Sequence, residues 1–192
     1  MVKVACSVCG VAILEITATA NGGKCFPCRN GTRGQLEASR RRIAEERARP
    51  PDPARVYWLS LVDRVYRTDA GYGGLSRPEQ LYFAVCCLDG EAYNGGLEQF
   101  FLNESGSRYR DALEALRLLG AANTAHLLER AKEACYPAAD VPEDWPERRR
   151  LLIEGDTPSR RAQLDALDDE YYADPDGLAD RIQDFARQHS LY

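Results

Sequence analysis

Two short cysteine turns, Cys6-Ser7-Val8-Cys9 and Cys25-Phe26-Pro27-Cys28, constrain this chain more than any other feature. A Cys-x-x-Cys turn aims two sulfurs at one point, and a second such turn completes a tetrahedral thiolate site. A redox dithiol and an ordinary disulfide pair are the alternatives. The paired spacing, and the scarcity of disulfides in reducing compartments, favour metal. The sequence therefore predicts one structural Zn2+ per chain, held by Cys6, Cys9, Cys25 and Cys28. Four sulfurs fill the coordination shell and leave no position for a reactive water, which argues against a catalytic zinc. A piece of about 30 residues buries too little apolar surface to fold alone, so ligation should hold it together. Gly10 and Asn30-Gly31 follow the two turns, where a positive φ is often needed. Between them, Val11 to Thr19 is rich in β-branched residues and predicts a strand. Asn21-Gly22-Gly23 then reads as the hairpin-type turn that returns the chain to Cys25.

The other three of the seven cysteines, Cys86, Cys87 and Cys135, fall in apparent helices and read as buried thiols. Gln35 to Arg49 predicts a highly charged helix containing Arg40-Arg41-Arg42, with Leu36 and Ile43 its narrow apolar stripe. Pro50-Pro51-Asp52-Pro53 ends that helix as a stiff joint. The expected organisation is a small β-hairpin zinc module over residues 1–33, a charged helix and proline-rich linker over 34–53, and an all-α domain over 54–192. The fold class is mainly α. Charge divides along the same line: residues 1–53 hold 9 Lys and Arg against 5 Asp and Glu, a net of +4, whereas residues 54–192 hold 16 against 25, a net of −9. Like-charge repulsion makes nucleic acid a poor ligand for the acidic domain. No apolar run approaches the length that spans a bilayer and none follows Lys3 as a signal would, so the expected location is cytoplasmic, with no membrane partner.

In the acidic domain, Val56 to Tyr66 predicts a helix with Leu59, Val62 and Tyr66 inward. Ser76 and Glu79 form a capping box with Pro78 in the first turn, and the helix that follows carries Leu81, Val85 and Leu88. The stretch Tyr93-Asn94-Gly95-Gly96-Leu97-Glu98-Gln99-Phe100-Phe101-Leu102-Asn103 comes next. Two glycines permit a sharp turn, Asn94 is a good cap for the helix beyond it, and Leu97, Phe100 and Phe101 give that helix an aromatic face to bury. Glu98, Gln99 and Asn103 should find partners in neighbouring loop backbone. This corner assigns a structural role to Tyr93, Asn94, Gly95, Gly96, Gln99, Phe100 and Asn103. Further on, Asn123 or Thr124 should cap a helix with Leu127, Leu128, Ala131 and Cys135 inward. Pro137 to Pro146 reads as an irregular connection pinned by Trp145. Two closing helices follow, with stripes Leu164, Leu167, Tyr171 and Leu178, Ile182, Phe185; Asp174-Pro175 reads as the cap and first residue of the second.

The Tyr93–Asn103 stretch resembles the signature of the bacterial DNA-mimic protein family, and the resemblance extends more weakly over about residues 54 to 190. The order Leu164-Asp165-x-Leu167-Asp168-Asp169-x-Tyr171-Tyr172 is similar to that family's C-terminal segment, while residues 1–33 resemble small zinc ribbons common in bacterial proteins. The resemblance implies a protein partner, a DNA-binding protein whose basic cleft receives Asp165, Asp168, Asp169, Asp180 and Asp184. The bland alternative is a solvated helix face, blunted by Arg160, Arg161, Arg181 and Arg187 nearby.

An enzyme is the least supported class. His126 and His189 are the two histidines, and neither accompanies a nucleophile or metal-ligand pattern; phosphate-loop and nucleophile-elbow motifs are absent. The leading expectation is a non-catalytic protein-interaction or regulatory protein with a structural zinc site, a homodimer being compatible with it. A zinc-ribbon nucleic-acid adaptor acting through Arg40–Arg42 is the second, and an immunity-type protein neutralising one specific partner is the third.

Overall fold

The computed structural model describes residues 2–192, which form two compact units divided between Asp52 and Pro53. In the first, β1 (Lys3–Ala5) pairs antiparallel with β2 (Ala12–Leu14), Lys3 opposite Leu14 and Ala5 opposite Ala12. The first cysteine turn is therefore the hairpin turn. The strand expected from Val11 to Thr19 stops at Leu14, and α1 (Glu15–Ala20) replaces the rest of it. Its partner strand is only three residues long, so a longer strand would leave its backbone groups unpaired, whereas a helical turn satisfies its own. Asn21-Gly22-Gly23 consequently ends a helix instead of turning a hairpin: the Gly23 N–H donates to Ala18 O at 2.8 Å, with Gly22 and Gly23 at positive φ. Next come α2 (Phe26–Arg29) and α3 (Arg33–Ala48), the latter without a buried residue.

The second unit is all helix. It comprises α4 (Pro53–Arg67), α5 (Arg77–Leu102), α6 (Tyr109–Leu118), α7 (Ala122–Cys135), α8 (Trp145–Glu154), α9 (Pro158–Tyr172) and α10 (Leu178–Gln188), with short 3-10 turns at Gly71–Gly74 and Glu104–Arg108. α5 is the axis on which each of the other six helices packs. That position explains its sequence: Leu81, Phe83, Val85, Leu88, Leu97, Phe100 and Phe101 point in several directions and all are buried, as a helix surrounded by others requires. The predicted capping box at its start forms, and Glu79 also accepts Arg64 Nη2 at 3.1 Å and Tyr57 Oη at 3.2 Å, tying α4 to α5. The buried face of α4 differs from the expected one. Leu61 and Val65 face inward and Trp58 stacks on Phe83 at 4.9 Å, while Leu59 and Tyr66 stand half exposed. Trp58, Leu61, Val62 and Val65 form the better-filled i, i+3, i+4, i+7 stripe, and the richer stripe takes the core. The irregular connection expected over Pro137 to Pro146 gives way at its end to α8: Asp144 caps the helix by accepting the Glu147 N–H at 3.0 Å, and Pro146 sits in its first turn. Among the described residues, no helix is long and apolar enough to cross a membrane.

Candidate functional site

Among the described residues of the first unit, Cys6 and Cys25 alone are buried; the module's interior is sulfur. The thiols of Cys6, Cys9, Cys25 and Cys28 lie within 4.8 Å of one another and could hold a metal ion. Cys9 Sγ and Cys25 Sγ are 3.7 Å apart, close to the roughly 3.8 Å edge of a tetrahedron with Zn–S bonds of about 2.3 Å. The Cys25 N–H donates to Cys6 Sγ at 3.2 Å and is the largest of the influences that pull the Cys6 thiol down to about 6. Such a bond favours the thiolate a metal needs. Burial pushes Cys28 the other way, up to about 12.

The corner in α5 is a break between two helical segments, with Gly95 at φ −168°, ψ 29° and Gly96 at φ 82°, ψ 173°. The second pair of angles is open essentially to glycine alone. Past the break, Leu97, Phe100 and Phe101 are fully buried, each worth about 1.5–3 kcal/mol of apolar transfer. Asn94 does not cap this segment. Asp168, 71 residues away on α9, does so: its Oδ1 accepts the Leu97 N–H at 2.7 Å. A Cβ on Gly96 would overlap that carboxylate, and one on Gly95 would overlap the Gln99 carboxamide folded back across the break. Gln99 Nε2 and Asn103 Nδ2 donate to Glu91 Oε2 at 2.6 and 2.8 Å, and Ser105 Oγ to Glu91 Oε1 at 3.2 Å. Gln99 and Asn103 thus converge on one carboxylate ahead of the break, not on loop backbone. Tyr93 lies 5.8 Å from the Tyr171 ring and 5.7 Å from that of Tyr172, while Glu98 accepts Arg160 Nη2 at 2.8 Å.

The five aspartates assigned to partner binding part company. Asp168 is half buried and turned to Leu97; burial above all, and then the charges of Asp165 and Asp169, raise its pKa against the pull of that N–H. Asp184 is exposed but paired with Arg187 at 2.7 Å. Asp165, Asp169 and Asp180 are exposed and in no ion pair among the described residues. The neighbouring arginines are engaged elsewhere. Arg160 is buried against Glu98 and the Leu152 carbonyl, Arg161 pairs with Asp156, and Arg181 donates to the carbonyls of Asp176 and Leu119. α9 and α10 both lean on α5 and are not principal packing partners of each other. A second capping carboxylate lies between them. Asp176 accepts the Thr124 N–H at 2.7 Å and Asn123 Nδ2 at 2.9 Å, capping α7 in place of Asn123 or Thr124. Burial pushes the Asp176 carboxyl up, but these donors together hold it below the usual carboxylate range. The N-cap of α10 is Gly177, at φ 64°, and not Asp174, so Pro175 precedes the helix; the Asp174 carboxylate still accepts the Leu178 N–H at 2.8 Å.

A family model described as DMP19-like protein matches residues 73–189, more than half of the chain. The chain belongs to the DMP19-like family. This is the DNA-mimic family that the Tyr93–Asn103 stretch resembles. No match is found among curated proteins or among solved structures. The DMP19-like match begins within the turn after α4 and leaves the cysteine module outside it. One residue within the match escaped sequence reasoning altogether. Arg148 on α8 is fully buried and donates to the carbonyls of Phe101 at 2.9 Å, Pro142 at 2.8 Å and Asn103 at 2.8 Å. It gathers the carbonyls where α5 ends, and burial lowers its pKa.

Proposed function

We propose that the protein is a non-catalytic interaction protein whose acidic second unit binds a basic, DNA-binding protein partner. The observation that carries this reading is on α9: Asp165 and Asp169 project to solvent one turn apart, without ion pairs among the described residues, while the arginines able to blunt them are engaged elsewhere. Family membership gives the same direction. Residues four apart supply about one charge per 6 Å of helix axis, against one phosphate per roughly 3.4 Å on each strand of duplex. α9 is therefore one part of a mimicking surface, to which exposed Asp180 on α10 adds charge. His126 and His189 are both exposed, and His189 rests on the Phe185 ring at 4.3 Å. In this reading the first unit is a ribbon held by one structural zinc, a role supported by the sulfur spacing.

The test starts with affinity purification from the native host, which identifies the partner without assuming its class. Calorimetry with Asp165→Asn/Asp169→Asn should then show binding weakened about fivefold and less salt-dependent, since two exposed charges are worth about 1 kcal/mol together. Unchanged affinity and salt dependence would refute the acidic-face reading. A nucleic-acid adaptor is the second reading, favoured by Arg40–Arg42 standing exposed on α3 and outside any ion pair among the described residues. DNA binding lost on changing those three arginines would support it.

A further inference from the structure

A groove of about 640 Å³ opens beside the end of α5, lined by Tyr66, Glu91, Glu104, Glu143, Asp144 and Trp145 among others. Two large rings remain half exposed, Tyr66 at 51% and Trp145 at 45%. Trp145 is held in place by its Nε1–H donating to Leu102 O at 2.9 Å, so its ring is fixed without a ligand. Four carboxylates contribute to the walls. Glu91 is saturated by Gln99, Asn103 and Ser105, whereas Glu104 and Glu143 are exposed; Glu104 reaches the buried Arg108 guanidinium at 3.9 Å, and Glu143 is in no ion pair among the described residues. The one cation of the lining, Arg148, is buried and committed to backbone carbonyls.

Both rings already have guanidinium groups of their own chain within reach: Arg149 lies 5.7 Å from the Trp145 ring centre, and buried Arg108, nearer to Tyr72 and Phe83, lies 5.8 Å from that of Tyr66. The aromatic quadrupole attracts a cation within about 6 Å, and arginine satisfies a ring face and a carboxylate at once because it is planar and forked. A concavity rich in carboxylates and walled by two half-exposed rings, that of Trp145 fixed, is complementary to such a side chain and hostile to a phosphate. Arginine and tryptophan are also the residue types that most often carry interface energy.

We propose that this groove is the anchor subsite for an arginine side chain of the protein partner, distinct from the α9 face. The proposal rests on the partner reading above and adds a second, deeper contact to it. The α9 face supplies long-range attraction that salt screens, whereas the groove supplies a desolvated contact that fixes register.

The experiment uses the full chain and an acetylated tri-arginine amide, with the tri-citrulline peptide as uncharged control. The protein has two tryptophans, and Trp58 is partly buried, stacked on Phe83 and outside the groove's lining, so the two indole N–H resonances separate the groove from the α4 face. Tri-arginine should shift the Trp145 resonance and leave that of Trp58 in place, and tri-citrulline should shift neither. Glu143→Gln should weaken the peptide about threefold with an unchanged melting temperature, Glu104→Gln/Glu143→Gln should weaken it about tenfold, and Asp165→Asn/Asp169→Asn should alter the Trp145 titration less than twofold. A silent Trp145 resonance, an equal response to citrulline, or indifference to the two glutamine substitutions would overturn the groove. If binding persists with Trp145 silent and depends on Asp165 and Asp169, the groove fails while the α9 reading stands; if the purified partner ignores α9 but its arginine variants lose the Trp145 shift, the reverse holds.

Discussion

Gly96 and Asp168 should behave as one device, and a double-mutant cycle can measure their coupling. Gly96→Ala forces a side chain into backbone angles that cost about 1–3 kcal/mol and drives its Cβ against the Asp168 carboxylate. The carboxylate must then leave the Leu97 N–H, adding the loss of a cap, about 1 kcal/mol. Asp168→Ala alone loses that same cap. With both changes the cap is lost once and the overlap disappears, so the double variant should be more stable than the summed singles imply by about 1–2 kcal/mol. Urea unfolding followed by tryptophan fluorescence is the appropriate assay, because Trp58 and Trp145 both lie in the second unit and the cysteine module contributes no tryptophan signal. Additivity within about 0.5 kcal/mol would show that the two residues act independently and that the capping argument is wrong.

Three further outcomes are expected. Metal analysis of the purified protein should find about one zinc per chain, and Cys25→Ser should unfold the first unit without moving the fluorescence transition of the second; a Cys6–Cys9 disulfide and no metal would refute it. Arg64 above all holds Glu79 down at about 2, below its ordinary 4.5. Its stabilising contribution should be complete above about pH 4.5 and lost as pH falls towards 2, so the stability gap between the native protein and Glu79→Gln should close across that window in acid titrations. Arg148→Met should cost about 3–5 kcal/mol in urea unfolding, since it strands several buried carbonyls, and a loss under 1 kcal/mol would contradict the role given to that side chain.

What could be read from the sequence was what short spacing encodes. The two cysteine turns, the Ser76–Glu79 capping box and the apolar stripes of α7, α9 and α10 each need only a few neighbouring residues, and each forms. The caps of the Leu97 segment and of α7 could not be read the same way. A local search finds Asn94 and Asn123, but the acceptors in use are Asp168 and Asp176, brought there only by the closed fold. Arg148 was hidden for a related reason: an arginine in a charged run looks like surface, and its burial is decided by carbonyls on α5 and the loop before α8. For α8 a signal existed, in Asp144 ahead of Pro146 and Glu147, but the flanking prolines masked it. Some of the acid that resembled a ligand surface is thus part of the architecture.

The two borrowed caps also set an order of events during synthesis. The segment after Gly96 and the start of α7 leave the ribosome well before the carboxylates that complete them, 71 and 52 residues later in the chain. Until α9 and the loop behind it arrive, Leu97, Phe100 and Phe101 belong to a helix with an open end and no lid, a state that invites chaperones. Those long sequence separations make closure slow and late. Nascent chains stalled before Asp168 should therefore remain protease-sensitive around Gly95–Gly96, and become resistant once α9 has emerged.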